Sequence, residues 1–272
     1  MPELPEVETT RRMIAPLLEG KKVDEVVVRK WELRLPVPHE LSRELSGQTI
    51  LRVERRGKYL LLRAGSGCVI LHLGMSGRLS IVGADTPPGK HDHLDILMAG
   101  GMILRLNDPR RFGLALWTRG EPLDHPLLAS LGPEPLQEGF DGSYLFRVSR
   151  DRILGVKEFI MGGRIVAGVG NIYANEALFR AGIHPATGAG TISLTSYKRL
   201  ADALREVLNE SIELGASLPL DLSESRGKPA YFPLSLDVYG REGEPCRRCG
   251  SAIRVTRQKG RSTYFCIVCQ KQ

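Results

Sequence analysis

TILRVERRGKYLLLRAGSGCVILHL, residues 49–73, repeats one pattern three times. A short run rich in aliphatic and β-branched side chains (TILRVERR, KYLLLR, CVILHL) ends at a break carrying glycine. Each run is too short for a helix of ordinary length, and such runs bounded by turn residues read as strands. The pattern continues outward. VDEVVVR (23–29) precedes it, and GRLSIV (77–82), HLDILM (93–98), MILRL (102–106) and LALWTR (114–119) follow. About eight strands with no long helix between them predict an antiparallel sandwich or barrel. The flanks read differently. Residues 3–19 place Val7, Ile14 and Leu18 on one helical face with Gly20 as a stop, and Pro16 should kink or shorten that helix. Residues 132–142, GPEPLQEGFDG, read as a linker. Beyond them LGVKEFIM, NIYANEALFRAG and TSYKRLADALREVLNESIELG are helical. In the last, Leu200, Leu204, Val207 and Leu208 share a face and Gly215 closes it. Residues 216–235 form a polar loop longer than a plain connector, as functional loops often are. The expected fold is α+β and multidomain: a β-sandwich with a flanking helix over 1–131, the linker 132–142, a helical domain over 143–235, and a cysteine-bearing module over 236–272.

With 272 residues, 25% charged and 42% hydrophobic, the chain can bury a core without disulfides. It holds no run of 18 apolar residues, and MPELPEVETT carries three glutamates and no apolar signal core. No membrane span and no secretory signal are expected, which suits a cytoplasmic protein. The net charge is +7, and residues 241–272 alone carry eight Lys or Arg against two Glu. A second cluster, Arg52, Arg55, Arg56, Lys58 and Arg63, faces only Glu54. Basic stretches concentrated in this way point to a polyanion such as nucleic acid.

Cys246 and Cys249 form one C-x2-C pair, and Cys266 and Cys269 form another 16 residues further on. Two tight turns, each presenting two thiolates, complete a tetrahedron around one zinc ion. A site closed by four thiolates is structural. The alternative, a pair of disulfides, needs an oxidising compartment that nothing in the N-terminus suggests. Cys68, in an apolar strand, reads as an inert core residue.

Pro2 follows the initiator Met, and removal of that Met would leave a secondary amine. An α-amino group has a pKa of about 7.7–8.0, so it is partly neutral and nucleophilic at physiological pH. Glu3 and Glu6 lie within reach to relay protons. The alternative is a capped surface helix with acidic residues at its positive end. Lys58 beside Gly57 could approach a phosphate closely, or be a solvated strand lysine. Asn171 opens a helix as an N-cap would, which also suits an anion. Met75 lies in a glycine-bracketed tip, and Arg110 and Phe112 point the same way if their stretch is extended; alternatively, Met75 and Phe112 are core residues.

Eight stretches together resemble the formamidopyrimidine-DNA glycosylase family, bacterial enzymes that are also DNA-(apurinic or apyrimidinic site) lyases. They are PELPEVE (2–8), RRGKYL (55–60), HLGMSGR (72–78), NDPRRFG (107–113), GVGNIYANEALFRAGIHP (168–185), GKPAYF (227–232), VYGREGEPCRRCG (238–250) and GRSTYFCIVCQ (260–270). They are collinear and span the chain. The resemblance implies that the helical domain is a helix-two-turn-helix unit, with a lesion-recognition loop within 216–235, and that the last module is a zinc-finger hairpin. It implies a bifunctional base-excision-repair enzyme that removes oxidised purines (8-oxoguanine, formamidopyrimidines) from duplex DNA and then cleaves the backbone by β,δ-elimination. By position, Pro2 is the nucleophile that forms the Schiff base, Glu3 the general acid/base, and Glu6 an orienting or relaying carboxylate. Lys58 is a phosphate ligand beside the lesion. Lys157, Asn171 and Arg261 are further phosphate contacts, and Met75, Arg110 and Phe112 fill the void left by the extruded base. The implied partner is damaged double-stranded DNA, bound by a monomer associated with the nucleoid. The match departs at Gly162-Gly163, at Ile267 inside the second cysteine turn, and over 218–226. Two alternatives stand beside it: an endonuclease VIII-like glycosylase acting on oxidised pyrimidines, and a zinc-ribbon DNA-binding module without enzymatic activity.

Overall fold

Eight strands form where the apolar runs lie, and they pair only with antiparallel neighbours. The computed structural model describes residues 2–217 and 235–271. The strands are β1 (Val23–Val28), β2 (Ile50–Arg56), β3 (Tyr59–Ala64), β4 (Gly67–His72), β5 (Arg78–Gly83), β6 (Asp92–Met98), β7 (Met102–Asn107) and β8 (Leu114–Thr118). They divide into two four-stranded sheets, ordered β1-β6-β7-β5 and β2-β3-β4-β8. Of the two expected architectures the chain adopts the sandwich. Leu60 and Leu62 of β3, Val69 and Leu71 of β4, and Leu94, Ile96, Leu104 and Leu106 of the other sheet meet in one core. Leu61 and Ile70 on the alternate positions are buried as well, which explains why β3 and β4 read as unbroken apolar runs.

The first helix, α1 (Leu4–Leu18), packs on β2 and β3, and Val7, Ile14 and Leu18 join that core. It runs two residues past Pro16, where a break or kink was expected. Pro16 sits in the last turn and is exposed. Carboxylates of α1 and its C-cap help tie the helix to the sheet. Glu8 accepts from Arg55 of β2 at 3.1 Å, and Glu19 accepts from the Val53 backbone N–H at 2.8 Å. A short helix, α2 (His39–Leu45), packs on β1 and β8 through Leu41 and Leu45. It has no amphipathic repeat long enough to read from sequence.

The chain divides into two compact units, the first built on Met1–Ala129, with α3 (Pro126–Ala129) at its end. The second comprises Ser130–Glu213 and Pro233–Gln272. It holds α4 (Gly142–Ser149), α5 (Val156–Ile160), α6 (Asn171–Ala181) and most of α7 (Leu194–Ser217), then a hairpin of β9 (Arg254–Gln258) and β10 (Arg261–Phe265). Residues 132–142, read from Pro and Gly content as a linker, pack within this unit. Phe140 is fully buried, and the Gly132 N–H donates to the Gly163 carbonyl. Leu200, Leu204, Val207 and Leu208 are buried as the helical period requires, and α7 continues two residues beyond Gly215. The polar loop and the stretch 218–226 lie almost wholly outside the described residues.

Candidate active site and nucleic-acid interface

In the first unit the residues that open α1 are buried. Glu3 is the N-cap of α1, and the Glu6 carboxylate accepts from the Glu3 backbone N–H at 2.8 Å, one arm of a capping box. Pro2 is buried, and Glu3 and Glu6 are each only 2% exposed. A cap on a surface helix would leave these carboxylates in water. Buried carboxylates are rare because desolvation is costly, so the two do not form an ordinary exposed cap.

Lys58 lies in the two-residue turn joining β2 and β3, where Arg56 pairs with Tyr59 and Gly57 adopts φ +57°. It is therefore a turn residue, half-buried, rather than a strand lysine. Beside it is a group that sequence reading missed, His72 at the end of β4. Its ring lies against that of Tyr59, tilted by 55° with centroids 4.8 Å apart, and its Nδ1 accepts from the Gly74 N–H at 2.9 Å. Burial, reinforced by the positive charges of Arg34 and Lys58, pushes its pKa down to about 4. The ring is thus neutral at physiological pH, with Nε2–H left as its donor. The only signal in the sequence was a histidine inside an apolar strand. Burial pushes the Cys68 thiol up to about 12, consistent with an inert core residue.

Met75 and Phe112 are 45% and 43% exposed, so neither belongs to the core. Phe112 and Arg110 share a loop that is not extended. Arg111 takes the left-handed conformation at φ +56°. Even so, the Arg110 guanidinium lies 4.6 Å above the Phe112 ring, which places the pair side by side.

In the second unit the hairpin reverses through Lys259 and Gly260, at φ +45° and +75°, a two-residue turn that leaves Arg261 exposed at the head of β10. Three side chains grip β10. Lys157 is 1% exposed, and its Nζ donates to the Ser262 carbonyl at 2.9 Å and to Thr263 Oγ1 at 2.7 Å. Asn171 Nδ2 donates to the same carbonyl at 3.0 Å, and Asn175 Oδ1 accepts from the Tyr264 N–H at 2.8 Å. Gly170 is the N-cap of α6, so Asn171 is its first residue and not the cap. Lys157 and Asn171, expected as phosphate ligands, are thus engaged with the hairpin. Arg261 and Lys157, with Arg152, Arg164 and Lys259, line a cleft of about 480 Å³ beside α5. Its one carboxylate, Glu158, is paired with Lys259. Gly162, where the match departs, also lines this cleft.

The Sγ atoms of Cys246, Cys249, Cys266 and Cys269 all lie within 4.8 Å of one another, with Cys246–Cys269 at 3.9 Å and Cys249–Cys266 at 3.4 Å. Zn–S bonds of about 2.3 Å in a tetrahedron require S–S separations of about 3.8 Å. The site therefore fits one structural zinc ion. Cys246 and Cys266 also pack with Phe179 of α6, Val238 and Ile253, joining the metal site to the helices. Ile267, inside the second cysteine turn, is exposed and outside this small core.

Family models match in three consecutive stretches: the formamidopyrimidine-DNA glycosylase N-terminal domain over residues 1–115, its H2TH domain over 131–220, and a zinc finger found in FPG and IleRS over 243–272. Sandwich, helix-two-turn-helix unit and tetrathiolate hairpin in one chain define a zinc-bearing DNA glycosylase. The chain belongs to the formamidopyrimidine-DNA glycosylase family. It is 59% identical over 270 residues to the formamidopyrimidine-DNA glycosylase of Geotalea uraniireducens, covering 99% of this chain and 100% of that one. The Nitrosococcus oceani protein of the same name is 55% identical over the same shares. Among solved structures, MutM (Fpg) from Thermus thermophilus superposes with a TM-score of 0.85 at 40% identity, covering 99% of this chain and 98% of that one. The Lactococcus lactis enzyme in complex with a FAPY-dG-containing DNA gives 0.89 at 35% identity, covering 99% and 100%.

Proposed function

We propose that this chain excises oxidised purines, 8-oxoguanine and formamidopyrimidines, from duplex DNA and then cleaves the strand at the abasic site. The observation that carries the reading is the burial of Glu3 and Glu6, each 2% exposed, directly after Pro2. With Met1 removed, the neutral Pro2 amine attacks C1′ of the deoxyribose. The C1′–N bond to the base breaks and the base leaves with a proton; the C1′–O4′ bond then opens as O4′ takes a proton, and an iminium links Pro2 to the ring-opened sugar. Glu3 moves the proton, and Glu6, already bonded to the Glu3 N–H, holds it in place. The iminium acidifies the C2′ proton, so the 3′ and then the 5′ phosphate leave by β- and δ-elimination, and water releases Pro2. Lys58 and the neutral His72 bind phosphate. Met75, Arg110 and Phe112 enter the stack where the base has left. Arg261 grips a phosphate, and Lys157 and Asn171 support it through β10 in addition to any phosphate contact of their own.

Borohydride reduction on an abasic-site duplex tests the nucleophile. The protein with a free Pro2 terminus, verified by mass spectrometry, is expected to form a covalent adduct. An uncleavable N-terminal extension turns the proline nitrogen into a tertiary amide without a nucleophilic lone pair. It should abolish trapping, excision and strand cleavage together. Trapping that survives the extension rejects Pro2 as the nucleophile. Parallel duplexes bearing 8-oxoguanine and thymine glycol test the substrate class, and faster release of the oxidised pyrimidine would reject the purine reading.

A further inference from the structure

Met75 and the Arg110–Phe112 pair come from different parts of the chain, the tip between β4 and β5 and the loop between β7 and β8, yet they are held as one body. The backbones touch. A Cβ on Gly74, which sits at φ +61°, would fall 2.3 Å from the Phe112 carbonyl carbon and 2.5 Å from the Gly113 nitrogen. Next to this contact is a closed set of hydrogen bonds. The Ser76 hydroxyl donates to Asp108 Oδ1 at 2.6 Å and accepts from the Arg110 N–H at 3.3 Å. Asp108 Oδ2 accepts from the Gly113 N–H at 2.7 Å. The Asp108 backbone is itself fixed. Its N–H donates to the His91 carbonyl at 2.9 Å, and its carbonyl bonds His93 Nε2 at 2.8 Å. Asp108 is fully buried, whereas the side chains it brackets, Arg110 and Phe112, are exposed.

We infer that Ser76 and Asp108 are positioning residues that lock the Met75 tip to the Arg110–Phe112 loop, so that the three side chains enter the duplex as one preformed wedge. This rests on the excision reaction proposed above. The physical reason is entropic. Two loops that moved independently would each have to be ordered during base extrusion, whereas a locked pair is ordered in advance. Ser76 holds both loops through a single hydroxyl. Its proton goes to Asp108, and its lone pair faces the N–H of the residue whose guanidinium stacks on Phe112.

The test is single-turnover kinetics on two substrates, a duplex with a paired 8-oxoguanine and the same duplex with a preformed abasic site. Ser76→Ala is expected to slow excision of the paired lesion roughly tenfold, short of the hundredfold that an ångström of misplacement can cost. It should slow abasic-site cleavage far less, because no base has to be expelled. Ser76→Thr, which keeps the hydroxyl, should recover most of the lesion rate. In a Phe112→Ala background the Ser76→Ala effect should largely vanish, since it acts through the wedge. Equal slowing of both substrates, or an undiminished effect in the Phe112→Ala background, overturns the inference. The native protein separates this from the reading beneath it. If that protein neither excises the lesion nor traps on the abasic site, the proposed reaction fails; if it does both and Ser76→Ala matches it, only the lock fails.

Discussion

A neutral, buried histidine is a commitment that can be titrated. His72 sits beside Lys58 with its pKa pushed down to about 4 by burial and by neighbouring cations. The unfolded chain takes up the same proton near pH 6.5. Between these values the unfolded state binds more protons than the folded one. The stabilisation from keeping His72 neutral is therefore fully present above about pH 6.5 and is lost as pH falls toward 4. By linkage, this group alone should cost about 2 kcal/mol of stability between pH 7 and pH 5. His72→Gln keeps an acceptor for the Gly74 N–H without the titration. Urea unfolding of both proteins at pH 7, 6 and 5 should show the variant losing less stability by about that amount. Parallel losses would mean that His72 takes up its proton as readily in the folded state as in the unfolded one. A carboxylate can be held down by its partners instead: Glu44 of α2 is pulled down to about 2, chiefly by its Arg119 hydrogen bond.

Among the elements, the β9–β10 hairpin is the part whose working depends most on what holds it. Arg261 is exposed at its head, while Lys157, Asn171 and Asn175 fasten β10 from α5 and α6. The two kinds of residue should differ in salt dependence. An arginine neutralising one duplex phosphate contributes about −0.9 to the slope of log K against log salt. Arg261→Ala should therefore weaken binding to damaged and undamaged DNA alike and flatten the slope by about one. Lys157→Met should weaken binding by loosening the hairpin while leaving the slope near its native value. A slope that falls by about one for Lys157→Met as well would assign it a direct phosphate contact. This distinction was not legible in the sequence, because a lysine buried against a carbonyl and one bound to phosphate are written alike. The elements themselves were largely legible. The eight strands announce themselves through apolar runs ended by glycine, and α7 through its Leu200–Leu204–Leu208 spacing. The short helices α2 and α4 did not, since seven or eight residues show too little periodicity. Nor did the loop at 107–113, whose i, i+2 alternation fails because Arg111 turns left-handed.

For the whole molecule, the question is which parts depend on the metal. The sandwich has its own core, in which Val7, Leu60, Val69, Leu94 and Leu106 meet without any cysteine of the zinc site. The hairpin has only a small core, Phe179, Val238, Cys246, Ile253 and Cys266, and two of those five side chains are thiolates of the metal site. Without zinc, four thiols are left crowded within 4.8 Å, and thiolates that close cannot all be charged unless a cation lies between them. Metal binding is therefore coupled to folding of this module. Cys249→Ala, or chelation of the native protein, should release one zinc ion per chain and abolish tight DNA binding. The β-rich far-ultraviolet dichroism of the sandwich should remain, with a cooperative thermal transition. The loss should extend to borohydride trapping at low protein concentration and be partly recovered at high concentration. Pro2, Glu3 and Glu6 are untouched, and what is lost is affinity for the duplex. Intact DNA binding by protein shown to be metal-free would exclude the hairpin from the DNA grip. Trapping that stays absent even at saturating protein would show instead that the metal is needed for the sandwich site itself.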